Sequence, residues 1–393
     1  MVSQHFYPEN FRFNDLVFDL AKDCDVTVLT AIPNYPEGSF FTGYKIFSPI
    51  VEYVRGVNII RVPIIPRGNS KLKLALNYFS FMVIGSIYGI FLGLFVSFER
   101  VLVCQTSPIF MALPAIIYKF LRKIPVTLWI TDLWPESLVA TNTIKNHSFI
   151  NMLEQVVRWI YQNVDSILVS CKGFESSIRS KHPSAKIEYF PYWAEEFYKR
   201  VLPDPEFKFS DSFKLMFAGN IGTAQNLGLL AEAVSKLDES ISIEVIIVGD
   251  GRGRTILENA IDRFGVRHKF NFIGSFPPER MPALFAHADA LYLSLRKDPI
   301  FEITVPSKLQ SYMACGKPVL ASIDGEAAQI ITEAGCGFVA PAEELNGLIN
   351  AISKMARMKS EDLQKLGDNS EKYYKQYFNR EKSMKDIRRL LGV

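Results

Sequence analysis

The chain has 393 residues, a length that suits two domains better than a single core. With 48% apolar residues, 22% charged residues and a formal net charge of +3, it is neither a disordered chain nor a nucleic-acid binder built on bulk positive charge. Cys24, Cys104, Cys171, Cys315 and Cys336 are scattered without a Cys-x-x-Cys pair, which points to free thiols in a reducing compartment, and the histidines show no metal-ligand spacing.

The start, MVSQHFYPENF, lacks a basic region followed by a long apolar run and is not read as a secretory signal. DVTVLT, VNIIRVPI, RVLVCQT, PVTLWIT and SILVSC then read as buried parallel strands, with ALPAIIYKFLRK and FINMLEQVVRWIYQNV as helices between them. Leu74 to Phe98 contains no charged residue. As a helix rising ~1.5 Å per residue it is long enough for a hydrocarbon layer of ~30 Å. Gly85, Gly89 and Gly93 recur at four-residue intervals and equally suit close packing inside an α/β domain. A third possibility is a helix lying at a lipid surface, because Arg55, Arg61, Arg67, Lys71 and Lys73 accumulate just before it. A linker is expected in WAEEFYKRVLPDPEFKFSDS, where prolines and charges break the rhythm.

The rhythm resumes with FKLMFAG, IEVIIVG, FNFIG, ALYLSL and PVLAS as strands, separated by four amphipathic segments. Two doubly wound α/β domains follow, and ligands of such sheets bind in the loops beyond the carboxyl ends of strands. Gly219-Asn220-Ile221-Gly222 and Gly249-Asp250-Gly251 leave two of these strands, and their missing side chains let a phosphate come close. The GRGR ending of the second loop is a poor dinucleotide fingerprint, since it does not follow the first strand of its domain. In DPIFEITVPSKLQSYMACGKPVLAS, Pro306 is placed at the first helical position, leaving the backbone N–H groups of Ser307, Lys308 and Leu309 free. A lysine in a first helical turn works against the helix dipole unless an anion sits there too. Glu302 stands just upstream, a position that suits either a solvent-facing turn residue or an acceptor of hydrogen bonds from sugar or ribose hydroxyls. Glycine backbone, helix start and Lys308 together suggest a nucleoside diphosphate held without an obligatory metal.

FEITVPSKLQSYMACGKPVLAS, FAGNIGTAQNL, VGDGRGR and FIGSFPPERMPALFAHADALYLSL resemble the second domain of retaining glycosyltransferases of family 4, with the GT-B architecture. SQHFYPENFRFNDL, AIPNYPEGSFFTGY and ITDLWPESLVA look like the bacterial branch that adds an N-acetylfucosamine-type or related amino sugar during O-antigen or capsule assembly. The resemblance spans nearly the whole chain. It implies an acceptor-binding Rossmann-like domain over 1–195, in which 74–98 associates with membrane, and a nucleotide-sugar-binding domain over 196–375. The two would face each other across a cleft, and a last helix within 376–393 would return to the first domain.

Carried over position by position, the resemblance puts Asn220, Gly222 and Gln225 at the donor diphosphate. Many relatives have Arg and Lys at the positions of Asn220 and Gln225, so more of the neutralisation falls on Lys308, with Arg252 or Arg296. Asp250, Phe276 and Pro277 lie near the uracil and ribose, and Thr304, Val305, Pro306 and Ser307, in the turn into the Lys308 helix, also fall at the donor. Glu302 resembles the first of the paired glutamates of the family, whereas Ser311 stands where the second is often found. Asp132 falls where a catalytic polar residue leaves a strand end, although helix N-capping explains an Asp there as well. His5, Tyr7, Glu9 and Asn10 in one loop, Asn34 and Tyr35 with Glu37 in another, and Glu136 suit acceptor-sugar recognition, while turn chemistry alone would account for Asn-Tyr-Pro-Glu-Gly.

The implied reaction moves a sugar from a uridine diphosphate donor to a polyprenyl-diphosphate-linked saccharide with retention, at the inner face of the cytoplasmic membrane. The acceptor hydroxyl attacks on the leaving-group side, so the carboxylate pair of a retaining hydrolase is not expected. A UDP-sugar 2-epimerase built from two similar halves, and a non-catalytic assembly subunit, remain open. Relatives also begin with a full apolar strand before SQ, whereas only Met1 and Val2 precede it here. That leaves either a start upstream of Met1 or a sheet with its central strand lost and two edges exposed.

Overall fold

Runs of β-branched residues set the strands. In the computed structural model, which describes residues 1–46, 50–68, 70–140, 144 and 146–393, they form two sheets of parallel character in two separate units. Met1–Pro191 with Glu381–Val393 makes one unit, and Tyr192–Arg380 the other.

The strands of the first unit are β1 (Val26–Ala31), β2 (Val51–Val54), β3 (Val57–Val62), β4 (Val101–Gln105), β5 (Val126–Ile130), β6 (Ser166–Val169) and β7 (Ile187–Tyr189). β1 pairs with β3 in parallel, β2 adds antiparallel to β3, and β4-β5-β6-β7 run parallel in that order. Met1–Gln4 joins these two sets. Val2 bridges Leu29 of β1 on one side and Val103 of β4 on the other. Backbone bonds from Val2 N to Leu102 O (2.9 Å) and from Ala31 N to Gln4 O (3.1 Å) continue the ladder. The central position is therefore filled at its carboxyl half, and the expectation of two bare edges is corrected there. At the amino ends of β1 and β4 lies a cavity of about 640 Å³, lined by Val26, Val101, Tyr118 and Leu391 among others. It is on the opposite edge of the sheet from the loops that leave the carboxyl ends of the strands.

The apolar segment forms one helix, Lys71–Phe95, with Ser70 Oγ capping its start by accepting from Lys73 N at 3.2 Å. The last helix, Arg380–Leu391, buries Met384, Ile387 and Leu391, and Arg388 pairs with Asp19 and Asp23 at 2.9 and 2.7 Å within the first unit.

In the second unit β8 (Phe213–Ala218), β9 (Ile243–Val248), β10 (Phe270–Gly274), β11 (Ala290–Ser294), β12 (Val319–Ser322) and β13 (Gly337–Ala340) form one parallel sheet, ordered β10-β9-β8-β11-β12-β13. The order reverses between β8 and β11, the switch point where doubly wound sheets hold ligands. Its core packs Leu215, Phe217, Ile247 and Tyr292 against Leu230, Ile261 and Ile352 from the covering helices. The stretch read as a linker is not a free connection: Trp193 is fully buried, Phe207 packs edge-on to Phe276 at 5.4 Å, and Asp204 pairs with Arg280 at 2.5 Å. It is an outer wall of the second unit. No disulfide joins the five cysteines, and all but Cys24 are buried.

Candidate functional site

β8 ends at Gly219, and the chain there turns through a positive φ of +114°. A Cβ on Gly219 would lie 2.8 Å from Lys308 Cε, and one on Gly249 would lie 2.1 Å from Gly219 O. Glycine is required at both positions because the two loops and the lysine stem share one small space. Gly249 itself has φ +122°. Gly249→Ala is therefore expected to cost on the order of 2–4 kcal/mol from backbone strain and the clash. Urea unfolding would measure it, and an unchanged midpoint would refute the steric account.

Ile221 N donates to Asp250 O at 2.9 Å, Gly253 N to Ile221 O at 2.7 Å, and Arg296 N to Ala224 O at 2.8 Å, so the loops after β8, β9 and β11 are stitched together. Gln225 Oε1 accepts from Gly222 N at 2.9 Å, and Gln225 O accepts from Ser294 Oγ at 2.6 Å. Gln225 thus closes its own turn. Asn220 is exposed beside it, as are Asp250 and Arg252 in the neighbouring loop.

The helix carrying Lys308 runs from Lys308 to Ala314, so Pro306 lies outside it and Leu309 N is spent on Pro306 O at 2.9 Å. This corrects the expectation of Pro306 at the first helical position with three free donors: the helix is short, and one of those N–H groups already has a partner. What remains is the lysine. Tyr312, one turn on, ties the helix to the end of β8 by accepting from Ala218 N and donating to Ala218 O, both at 3.3 Å. That contact lays the Lys308 stem under Gly219 and puts Nζ 3.9 Å from the centroid of the Phe217 ring. Although the residue is half-buried, its Nζ is sealed from solvent and has no hydrogen-bond partner. Desolvation lowers its pKa from 10.5 to about 7. A buried ammonium with only a ring beneath it is a costly arrangement unless an anion completes it.

Around it, Glu302 and Ser307 are exposed, Val305 is buried, and Thr304 Oγ1 donates to Ile300 O at 2.7 Å. Phe276 is partly covered by Phe207 and by the Arg280 guanidinium 5.2 Å over its ring, with Pro277 exposed next to it. Ser311 is buried. Gln310 was not singled out by its sequence, yet it is 1% exposed with Oε1 unpartnered, in the same helix as Lys308. Only its burial marks it.

In the first unit the loops after Met1–Gln4, β1, β4 and β5 carry a second polar group. His5 Nδ1 lies 2.7 Å from Glu9 Oε2, and Glu9 Oε1 accepts from Asn34 N and Tyr35 N at 2.6 and 2.7 Å. Asn77 of the apolar helix accepts from Gln4 Nε2 at 2.7 Å and donates to Asn34 Oδ1 at 3.3 Å. His5, Glu9 and Asn34 are each 2% exposed or less, so they brace the two loops. Tyr7, Asn10, Tyr35 and Glu37 reach the surface, Tyr35 with the Arg67 guanidinium 5.1 Å over its ring. Arg61, counted from sequence in the basic cluster, is instead 1% exposed and paired with Glu52 at 2.9 Å.

Asp132 Oδ2 accepts from Trp134 Nε1 at 3.1 Å, and the same indole reaches Ser107 Oγ at 3.0 Å. Burial raises the Asp132 pKa from 3.8 to about 6, against the pull of hydrogen bonds from Ser137, Trp134 and Ser107, with Glu136 adding to the rise. Tyr78 is close enough to feel Arg67, Ser107, Asp132 and Tyr35. It stands at the inner side of the apolar helix, and nothing in the sequence pattern marks it. Glu136 accepts from Ser177 Oγ at 2.6 Å and pairs with Lys181, which anchors its helix to the next. Among the described residues no group of three or more His, Cys, Asp or Glu side chains is placed to hold a metal ion.

Parallel sheets with this strand order in the second unit and loops stitched at the switch point are those of the GT-B fold. Residues 199–373 match the family model Glycosyl transferases group 1. The chain is 24% identical over 313 residues to "Probable glycosyltransferase WbjE" of Pseudomonas aeruginosa, covering 74% of this chain and 75% of that protein. Its fold is similar to that of WaaG, a glycosyltransferase involved in lipopolysaccharide biosynthesis, with a TM-score of 0.69 and 15% identity over 97% of this chain and 95% of that one. HepE of Anabaena, solved in complex with UDP and glucose, matches with a TM-score of 0.70 at 13% identity, covering 99% and 98% of the two chains.

Proposed function

We propose that the protein transfers an amino sugar of the N-acetylfucosamine kind from a UDP-sugar to a polyprenyl-diphosphate-linked saccharide, with retention, at the inner face of the cytoplasmic membrane. The observation that carries the donor half is the unpartnered Lys308 ammonium under the Gly219 loop. A departing diphosphate gains negative charge, and a fixed cation in a poorly solvated site stabilises that charge more than it stabilises the ground state. Lys308, assisted by Arg252 and the Gly222 loop, takes the neutralising role, and no obligatory metal is invoked. Asn220 and Gln225 shape the diphosphate loop, Asp250, Phe276 and Pro277 border the nucleoside, and Glu302 meets the sugar hydroxyls. Thr304, Val305, Pro306 and Ser307 set the turn that presents Lys308.

On the acceptor side Asp132 is the polar group of choice. A carboxyl with a pKa of about 6 accepts a hydrogen bond from the acceptor hydroxyl at neutral pH. Tyr7, Asn10, Tyr35 and Glu37 are the exposed contacts, held by the buried His5, Glu9 and Asn34 behind them; Glu136 acts through its helix. The attacking hydroxyl gives its proton to a diphosphate oxygen, the C–O bond to the leaving group breaks, and the new glycosidic bond forms on the same face.

The test incubates the protein with a panel of UDP-sugars and a short prenyl-diphosphate-linked saccharide, then reads product mass and anomeric configuration. Addition of an N-acetylated deoxyhexosamine with the donor's configuration is expected. Release of a C2-epimerised UDP-sugar without acceptor would replace this reading with the epimerase, and no reaction with any donor would leave an assembly subunit.

A further inference from the structure

The helix Lys71–Phe95 has two unlike sides. Its inner side consists of Asn77, Ser80, Phe81, Gly85, Gly89 and Gly93. A Cβ on Gly89 would lie 2.6 Å from Pro114 O, and one on Gly93 would lie 2.6 Å from Leu121 Cδ1, so the glycines bring this helix directly onto Leu113–Arg122. The outer side is apolar and open: Phe79, Val83, Ile87, Phe91, Leu94 and Phe95 are all exposed. Only 28% of its most apolar window is buried, whereas a core helix would be mostly covered. The open surface continues onto exposed Phe120 of the adjoining helix, whose ring lies 6.5 Å from that of exposed Trp159. A soluble monomer rarely leaves so large an apolar patch bare.

Cations border the patch at both ends. Lys71 and Lys73 are exposed at the helix start. At the other end stand Arg100 and Lys123, with Glu99 beside Arg100, and Arg122 donates to Leu94 O at 3.1 Å. Apolar side chains in the middle and basic side chains at the rim match an acyl boundary flanked by headgroup phosphates.

We infer that this face docks on an anionic lipid bilayer, with the helix lying in the plane of the surface and not crossing it. Crossing would pull three glycines off their neighbours and carry Asn77 and Ser80 into hydrocarbon, where their hydrogen bonds to Gln4, Asn34 and Ile65 would be lost. Flat docking keeps those contacts. It deepens the proposed function and rests on it in one respect, the lipid-linked acceptor. Asn77 and Tyr78 on the inner side touch the loops around Asn34 and Asp132, so docking would bring those loops down to the lipid headgroups that carry such an acceptor.

The test is co-sedimentation of the full chain with vesicles of phosphatidylglycerol and phosphatidylethanolamine, set against vesicles of phosphatidylcholine alone. Wild type is expected to bind the anionic vesicles more tightly and to come off in alkaline carbonate. Val83→Glu/Ile87→Glu/Phe91→Glu is expected to partition at least ~100-fold more weakly, with circular dichroism and UDP affinity unchanged. Should that variant misfold, Phe91→Ser/Phe95→Ser and Lys71→Gln/Lys73→Gln carry the same expectation at smaller size. No binding by wild type, equal binding by these variants, or retention through carbonate would each overturn the inference. Loss of UDP binding by wild type would instead strike the transferase reading, since it is measured without vesicles.

Discussion

Lys308→Met should abolish UDP binding and at the same time make the free protein more stable. The two effects have one cause. Moving the lysine pKa from 10.5 to about 7 corresponds to roughly 5 kcal/mol of unfavourable solvation for the charged form, at ~1.36 kcal/mol per unit. A methionine fills the same channel over Phe217 without that penalty, so a gain of about 2 kcal/mol or more at pH 7 is expected from chemical denaturation. Turnover should fall at least ~100-fold, the scale of removing one strong charge-stabilising donor. A merely structural lysine would give the opposite pair, lost stability with retained binding. Wild-type affinity for UDP adds a second check. The bound diphosphate favours the protonated lysine, so above pH about 7 binding must take up a proton, and affinity should drop by up to ~tenfold per pH unit. Calorimetry in buffers of different ionisation enthalpy would detect that proton. A flat affinity between pH 7 and 9 would remove Lys308 from the diphosphate site.

Asp132→Asn is expected to lower kcat by ~100- to 1000-fold and to erase the acid limb of the pH profile. In wild type that limb should lie near pH 6, with activity lost as pH falls and the carboxylate takes a proton. Stability runs the other way. The folded carboxyl, raised above 3.8, holds its proton more tightly than the unfolded one, so the protein binds more protons when folded. Stability should therefore decline as pH rises from about 4 to 6, by up to about 3 kcal/mol, and stay at the lower level above. The asparagine variant lacks this decline and should exceed wild type at pH 7. An Asp132 that only capped a helix would instead leave the acid limb in place after substitution.

Much of the fold was legible along the chain, because short β-branched runs and their spacing depend on near neighbours. The strands β1, β3 to β6 and β8 to β12 fall within or beside the segments read as strands, and the glycines at 219 and 249 marked the loops that converge at the switch point. β2, β7 and β13 lie at the edges of their sheets and lack the run of buried residues that marks the equally short β6 and β12, so they carry too little pattern to be read alone. The lysine in DPIFEITVPSKLQ stood out because its position offends the helix dipole, a local rule.

What folding alone decided concerns partners far apart. Gln4 meets Asn77 at a separation of 73 residues, and Tyr312 meets Ala218 at 94. Such contacts turn His5, Glu9 and Asn34 from apparent acceptor ligands into a buried brace, make Arg61 an ion-pair partner, and bring Tyr78 beside Asp132. They also seat Met1–Gln4 as half of a central strand and press the glycine side of the apolar helix onto its neighbour. Composition determines that Lys71–Phe95 prefers to leave water. Which of its sides is still free to do so is set by three-dimensional packing, because burial belongs to the assembled surface and not to any one stretch of chain.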